Sequence, residues 1–309
     1  MQGNALPLFD GGRTLFFCSS VWNALFLIKP HQAMTPPKLV LLTDFSELSK
    51  VAIRFALKLA GPLDADFTIL NIIRIEGVPK ANLKLRQIEK SVTKIAEEEG
   101  AELVKQMRQE IKGNYKLQFK AIRSHTVAEM VKRYVEKNPT NMVVMGSRGA
   151  SALKKVRMGG TTVSVIDESK VPVLAIPDFA QYKNLQHIVY ATDGKNVSKE
   201  LDIIVEFAQI YGSYVHMIHV VPAVDKKVEA GAHDMETQVK KKNYDKLDFK
   251  LIIDDDIPGA IDAYIKETKA DLLTTFTHQL SLLEKLFARS VTRTLAYQGT
   301  IPLLAVKRK

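Results

Sequence analysis

The sequence predicts an α/β protein in which one doubly wound domain, built on a five-stranded parallel sheet, occurs twice in tandem. Three observations predict it. Short apolar runs alternate with amphipathic stretches from Lys38 to Val306, the order of these elements repeats after residue 186, and landmark residues recur in register between the two copies.

Leu39–Thr43 (LVLLT) is apolar and suits a strand. Ser46–Ala60 follows, and its Val51, Ile53, Phe55, Ala56, Leu59 and Ala60 make one helical face. Phe67–Ile73 is a buried-strand pattern, and Ala81–Ile111 is long, charged and periodic, hence helical. Tyr115–Ile122 reads as the third strand, Val127–Glu136 as a helix and Met142–Met145 as the fourth strand. A helix opening near Gly160 closes at Ser164–Ser169, before the fifth strand, Val171–Ile176. Its proline belongs at a strand start or edge, where a missing N–H costs least. Strands alternating with helices of ten or more residues give right-handed parallel crossovers and an open sheet.

The second copy runs through His187–Thr192, Lys199–Tyr211, Tyr214–Val221, Phe249–Ile253, Gly259–Thr268, Leu272–Thr275 and Ile301–Val306. Thr43-Asp44 is answered by Thr192-Asp193, Ser49-Lys50 by Ser198-Lys199, and Val171-Pro172-Val173 by Ile301-Pro302-Leu303. The long charged helix shrinks to about Met235–Tyr244. The expected division is an extension at 1–37, a first domain at 38–177 and a second at 186–309. Each fifth strand is apolar and ends its sheet, so the two copies are expected to pair along that edge as an internal pseudo-dimer. Two chains could then pair further.

Bulk properties narrow the function. Net charge is +10, but basic residues are interspersed with acids and aromatics are only 7%, which argues against a nucleic-acid footprint. One cysteine, Cys18, excludes an internal disulfide and fits the cytoplasm. Thr14–Ile28 is apolar, but it is shorter than the ~20 residues of a spanning helix and contains Ser19, Ser20 and Asn23. Met34 is read as the natural start, the alternative being a membrane-associating or targeting segment before it.

One motif carries chemistry. Gly146-Ser-Arg-Gly149 follows the fourth strand, and Gly159-Gly160-Thr161-Thr162 comes nine residues after Gly149. Glycines allow a backbone to approach a ligand closely, and successive N–H groups can face phosphate oxygens. A helix starting at Gly160 adds its N-terminal dipole. In open parallel sheets ligands bind beyond the carboxyl ends of the strands at the switch point. In a flavodoxin-like order the first and fourth strands, ending at Asp44 and Gly146, flank that crevice. The pattern is neither a Walker A loop nor a dinucleotide fingerprint.

Leu41–Ala60 (LLTDFSELSKVAIRFALKLA) and the Gly-x2-Gly-x9-Gly set together resemble the universal stress protein family, in its tandem two-domain form, from about Lys38 to Lys307. The resemblance implies Rossmann-like domains of the flavodoxin or adenine-nucleotide α-hydrolase kind. It also implies ATP, with or without Mg2+, as the ligand of the first domain. Asp44 would bond the nucleoside, and Ile72 would meet adenine through its backbone, with Asn71 standing where histidine is usual. Gly146, Gly149, Gly159 and Gly160 would hold phosphates and ribose, and Thr43, Met145, Arg148, Thr161 and Thr162 complete the implied set. Gly160 departs from the usual Ser or Thr and keeps only its N–H. In the second copy Phe276, Gln279 and Arg289 replace the three glycines, so no ATP is expected there. Asp193 reads equally as a solvated strand end or a ligand contact.

Arg148, Lys154, Lys155 and Arg157 could neutralise a triphosphate, or simply be solvated. His216 and His219, three apart on a strand, point to opposite faces and make a poor metal pair. Asp254, Asp255 and Asp256 read as capping groups for the helix near Pro258. No nucleophile–base constellation stands out. The reading is therefore a nucleotide-dependent switch or stress-tolerance factor. A structural or partner-binding stress protein without nucleotide is the alternative, with slow ATP hydrolysis behind both.

Overall fold

A computed structural model describes residues 36–60, 63–74, 83–148, 158–277 and 300–308. The expected first start at Met34 and the loop residues Gly149, Lys154, Lys155 and Arg157 lie outside the described residues, as do Gln279 and Arg289 of the second copy.

The first half comprises β1 (Lys38–Thr43), α1 (Glu47–Leu59), β2 (Asp66–Arg74), α2 (Leu83–Glu110), β3 (Lys116–Ser124), α3 (Val127–Lys137), β4 (Met142–Gly146), α4 (Gly160–Glu168) and β5 (Val173–Ile176). The second comprises β6 (His187–Thr192), α5 (Val197–Tyr211), β7 (Tyr214–Val221), α6 (Lys226–Lys240), β8 (Leu247–Ile253), α7 (Ile257–Thr268), β9 (Leu272–Thr277) and β10 (Leu303–Lys307). The strand order is β3-β2-β1-β4-β5 in one half and β8-β7-β6-β9-β10 in the other, joined as one sheet. Every pairing inside a half is parallel. Successive strands thus run outward from β1 to β3 and then return to β4 on the other side. The switch point lies between β1 and β4, and again between β6 and β9.

β5 and β10 meet antiparallel, Leu174 opposite Leu304, and close each other's apolar edge. The outer edges, β3 and β8, carry charges such as Lys116, Lys120, Asp248 and Lys250. Both strand prolines stop just short of the ladder. Pro172 and Pro302 lend their carbonyls to the N–H groups of Val143 and Leu273.

Alternating strand residues feed two core layers. Leu39, Leu41, Phe67, Ile69, Tyr190 and Met217 pack under α1, α2, α5 and α6. Val40, Leu70, Val143, Val189 and Leu273 pack under α3, α4 and α7. The helix α2 lies so close to β3 that a Cβ at Gly100 would fall 2.3 Å from the Phe119 ring.

One helix differs from expectation. α6 starts at Lys226 rather than near Met235, because Asp225 caps it by accepting from Lys227 N and Val228 N. The helix then runs through Gly231, a residue of low helix propensity. Among the aspartates before α7, Asp256 accepts from Gly259 N and Asp254 accepts from Asp256 N.

Candidate functional site

The crevice of the first half opens where β1 ends. The Thr43 hydroxyl accepts from Phe45 N at 2.9 Å and lies 2.9 Å from Ser49 Oγ. Ser49 Oγ spends its own proton on Ser46 O at 2.8 Å, so Thr43 must be the donor between them. These bonds fold the chain sharply from strand to helix and hold Phe45 at φ 62°, a left-handed conformation uncommon for an aromatic residue. Asp44 is thereby left exposed at the crevice mouth, with Oδ1 accepting from Ser46 N and Ser46 Oγ. Ser46 in turn caps α1 by accepting from Ser49 N.

Asn71 is buried and donates Nδ2 to Thr43 O at 2.9 Å, pinning the end of β1 to β2. β1 stops opposite Asn71, while β2 continues to Arg74. The β1-side edge of Ile72 therefore borders the crevice, as a backbone contact requires.

Across the switch point β4 delivers Met145 and Gly146, both buried. A Cβ on Gly146 would come within 3.1 Å of Arg148 O, so a side chain there would press the loop after β4 outward. Gly159 N donates to Ser147 O at 2.8 Å and the Thr162 hydroxyl to Gly146 O at 3.1 Å. These two bonds anchor the start of α4 at the carboxyl end of β4. The cap of α4 is Gly159, which offers no side chain to the first-turn N–H groups. Among the described residues, a Cβ at Gly160 would meet nothing within 4 Å. Thr162 is committed to the fold, whereas Thr161 and Gly160 sit in the first turn. Arg148 forms an ion pair with Asp178, which follows β5. It is therefore not the solvated side chain that its loop position allowed.

The second half repeats the scaffold with different contents. His219 Nδ1 lies 2.9 Å from Thr192 O, in the register position of Asn71. Gly194 has φ +80° where the first half has Phe45. His216 sits on the opposite face, bonded to His187 at 3.1 Å and Asp248 at 3.2 Å. Phe276, where the first half has Gly146, is buried and packs edge-on against Tyr190, centroids 5.8 Å apart. Asp193 keeps a partly exposed side chain, and Arg308 grips both its oxygens.

Burial pushes Asp193 up, but hydrogen bonds and charge from Arg308 and the Lys195 N–H hold it below its ordinary value. Neighbouring Glu200 is raised by burial, which Arg308 and Tyr190 only partly offset. Tyr190 is raised further, by burial first and then by Glu200. Sequence reasoning missed this group. The available signal was an acid, Glu200, in the apolar position that Val51 holds in the first copy.

A tandem α/β sheet with glycines beside its switch-point crevice defines a class of doubly wound α/β proteins. Within that class, a family model described as the universal stress protein family matches residues 37–177 and again 184–307. The chain belongs to this family. A universal stress protein of Methanocaldococcus jannaschii is 24% identical over 140 residues, spanning 45% of this chain and 81% of the relative. The crystal structure of a universal stress protein from Archaeoglobus fulgidus superposes with a TM-score of 0.67 at 19% identity, covering 89% of this chain and all of that one. A putative universal stress protein from Pseudomonas aeruginosa gives 0.54 at 11% identity, over 87% and 92%. At these identities the likeness is one of fold. No helix among the described residues is long and apolar enough to cross a membrane.

Proposed function

We propose that the first half binds one adenine nucleotide, ATP with or without Mg2+, and that the chain acts as a nucleotide-dependent switch. The observation that carries this reading is the start of α4. Gly159 leaves its first-turn N–H groups without a side-chain cap, and the bond of Thr162 to Gly146 O holds them at the switch-point crevice. Such an end favours phosphate oxygens. Asp44 is exposed across the same crevice, where it can accept from ribose hydroxyls, and the β2 edge at Ile72 can meet the base. Residues 38–177 would be the nucleotide domain, and 186–309 a partner domain whose own crevice takes no nucleotide. The site lies in the cytoplasm on this reading, and the paired β5 and β10 edges let one chain serve as its own dimer.

Calorimetric titration with ATP, with and without Mg2+, tests the proposal. One nucleotide per chain is expected, and Asp44→Ala should weaken it about tenfold or more. Absence of binding at millimolar ATP would overturn it. The commitment of Arg148 to Asp178 favours a second reading, a partner-binding protein without nucleotide, and that titration decides between the two.

A further inference from the structure

We propose that the crevice of the second half is a guanidinium site, and that its occupant is Arg308 of the same chain. Four residues build it. Arg308 Nη1 donates to Asp193 Oδ2 at 2.8 Å and Nη2 to Asp193 Oδ1, a fork-to-fork pair. Its Nε donates to Glu200 Oε1, and Nη2 also reaches Lys195 O at 3.3 Å. The Tyr190 hydroxyl donates to the other oxygen of Glu200, so both carboxylate oxygens are satisfied. The side chains of Arg308 and Glu200 are 6% and 3% exposed.

Comparison of the halves shows that this is an alternative use of the same place. Counting in register, Tyr190, Asp193, Glu200 and Arg308 stand where the first half has Leu41, Asp44, Val51 and Asp178. Only the strand-end aspartate is shared. In the first half that aspartate stays exposed, and the residue after the fifth strand is an acid paired with Arg148. In the second half the sign is reversed, and the aspartate is turned onto a cation supplied from within. An isolated acid at Glu200 would be a costly substitution for valine under α5, and a cation is what makes it tolerable. A planar group with five donors matches two carboxylates and a carbonyl, whereas an ammonium cannot engage both oxygens of Asp193 together with Glu200. The second crevice is thus closed to a nucleoside from inside. This conclusion does not depend on whether the first half binds ATP.

The test is chemical replacement of the missing group. Arg308→Ala should lower the melting temperature by about 5 °C or more. Guanidinium chloride at about 20 mM, too dilute to denature, should restore about half of that loss relative to equal NaCl. The same salt should leave wild type unchanged. Restoration should shrink in Arg308→Ala/Glu200→Gln, where one of the two carboxylates that hold the guanidinium is neutral. Arg308→Lys should fall between wild type and Arg308→Ala. If Arg308→Ala does not fold, Arg308→Ala/Glu200→Val, which installs the valine of the first half, should fold. A wild-type melting temperature for Arg308→Ala would overturn the proposal. So would equal guanidinium effects on all three proteins, or failure of the valine variant to recover the fold.

Discussion

Asp44 and Asp193 occupy the same place in two copies of one fold and meet different fates. Asp44 Oδ1 accepts from Ser46 N and Ser46 Oγ, and the residue stays exposed at the crevice mouth. Asp193 is held by Arg308, and that contact has a pH signature. The pKa of Asp193 is lowered on folding, so its contribution is present above the unfolded value of about 4 and is lost as pH falls through the lower folded value. Glu200 is raised, so its ionisation opposes folding as pH climbs through the raised value, and the cost is complete above it. Arg308 favours both anions. The stability gap between wild type and Arg308→Ala should therefore be widest at neutral pH, on the order of 3 kcal/mol, and should close below about pH 4. Urea unfolding at pH 7, 5 and 3.5 measures it, and a gap independent of pH would contradict the charged cluster. At the first site, Gly146→Val should abolish nucleotide binding, because its Cβ would press on Arg148 O. Titration of a variant that keeps a native circular dichroism spectrum checks this.

At the scale of single elements, local signals and tertiary demands trade places. α1 shows its start in sequence, since Ser46 is a preferred cap residue and accepts from Ser49 N as such residues do. Ser46→Ala should cost about 1 kcal/mol, read as a lower denaturation midpoint. α6 was legible only in part. The sequence places it at about Met235–Tyr244, whereas Asp225 opens the helix at Lys226 and Met235 docks its inner face. Gly231 is exposed, and a Cβ there would meet nothing within 4 Å. Gly231→Ala should therefore raise stability by about 0.5–1 kcal/mol, and a lower melting temperature would show that the helix is not continuous there. α4, by contrast, starts at Gly159 and carries no side-chain cap, a small cost in stability.

The whole molecule is held together along β5 and β10 and by a few polar ties between the halves. Tyr211, on α5, donates its hydroxyl to Leu59 O at the end of α1. Burial raises this phenol well above its ordinary value, so it remains a donor through neutral and moderately alkaline pH. Lys307, at the end of β10, donates to Asp167 O in the last turn of α4. Tyr211→Phe should cost about 1 kcal/mol, since Leu59 O would lose its donor. Leu304→Asp should do far more, because it puts a carboxylate into a strand pair that is 3% exposed. Calorimetry should then show two separate transitions in place of one, and a single transition would mean that the halves are coupled elsewhere.

Alternation of apolar strands and periodic helices and the duplicated landmarks were enough to read the fold and the tandem repeat. Those features depend on local periodicity and chain order, which sequence carries directly. Apolar fifth strands likewise made their pairing legible, because an unpaired edge of that kind needs a cover. The contents of each crevice were decided by the tertiary structure. Arg148 could have faced solvent or phosphate, and its pairing with Asp178 depends on β4 and β5 lying side by side. Asp193, Glu200 and Arg308 are more than a hundred residues apart at their extremes, and only the folding of β10 beside β9 brings the arginine to β6 and α5. Charge partners separated by that much chain have no period to betray them, so their meeting is a property of the packed sheet.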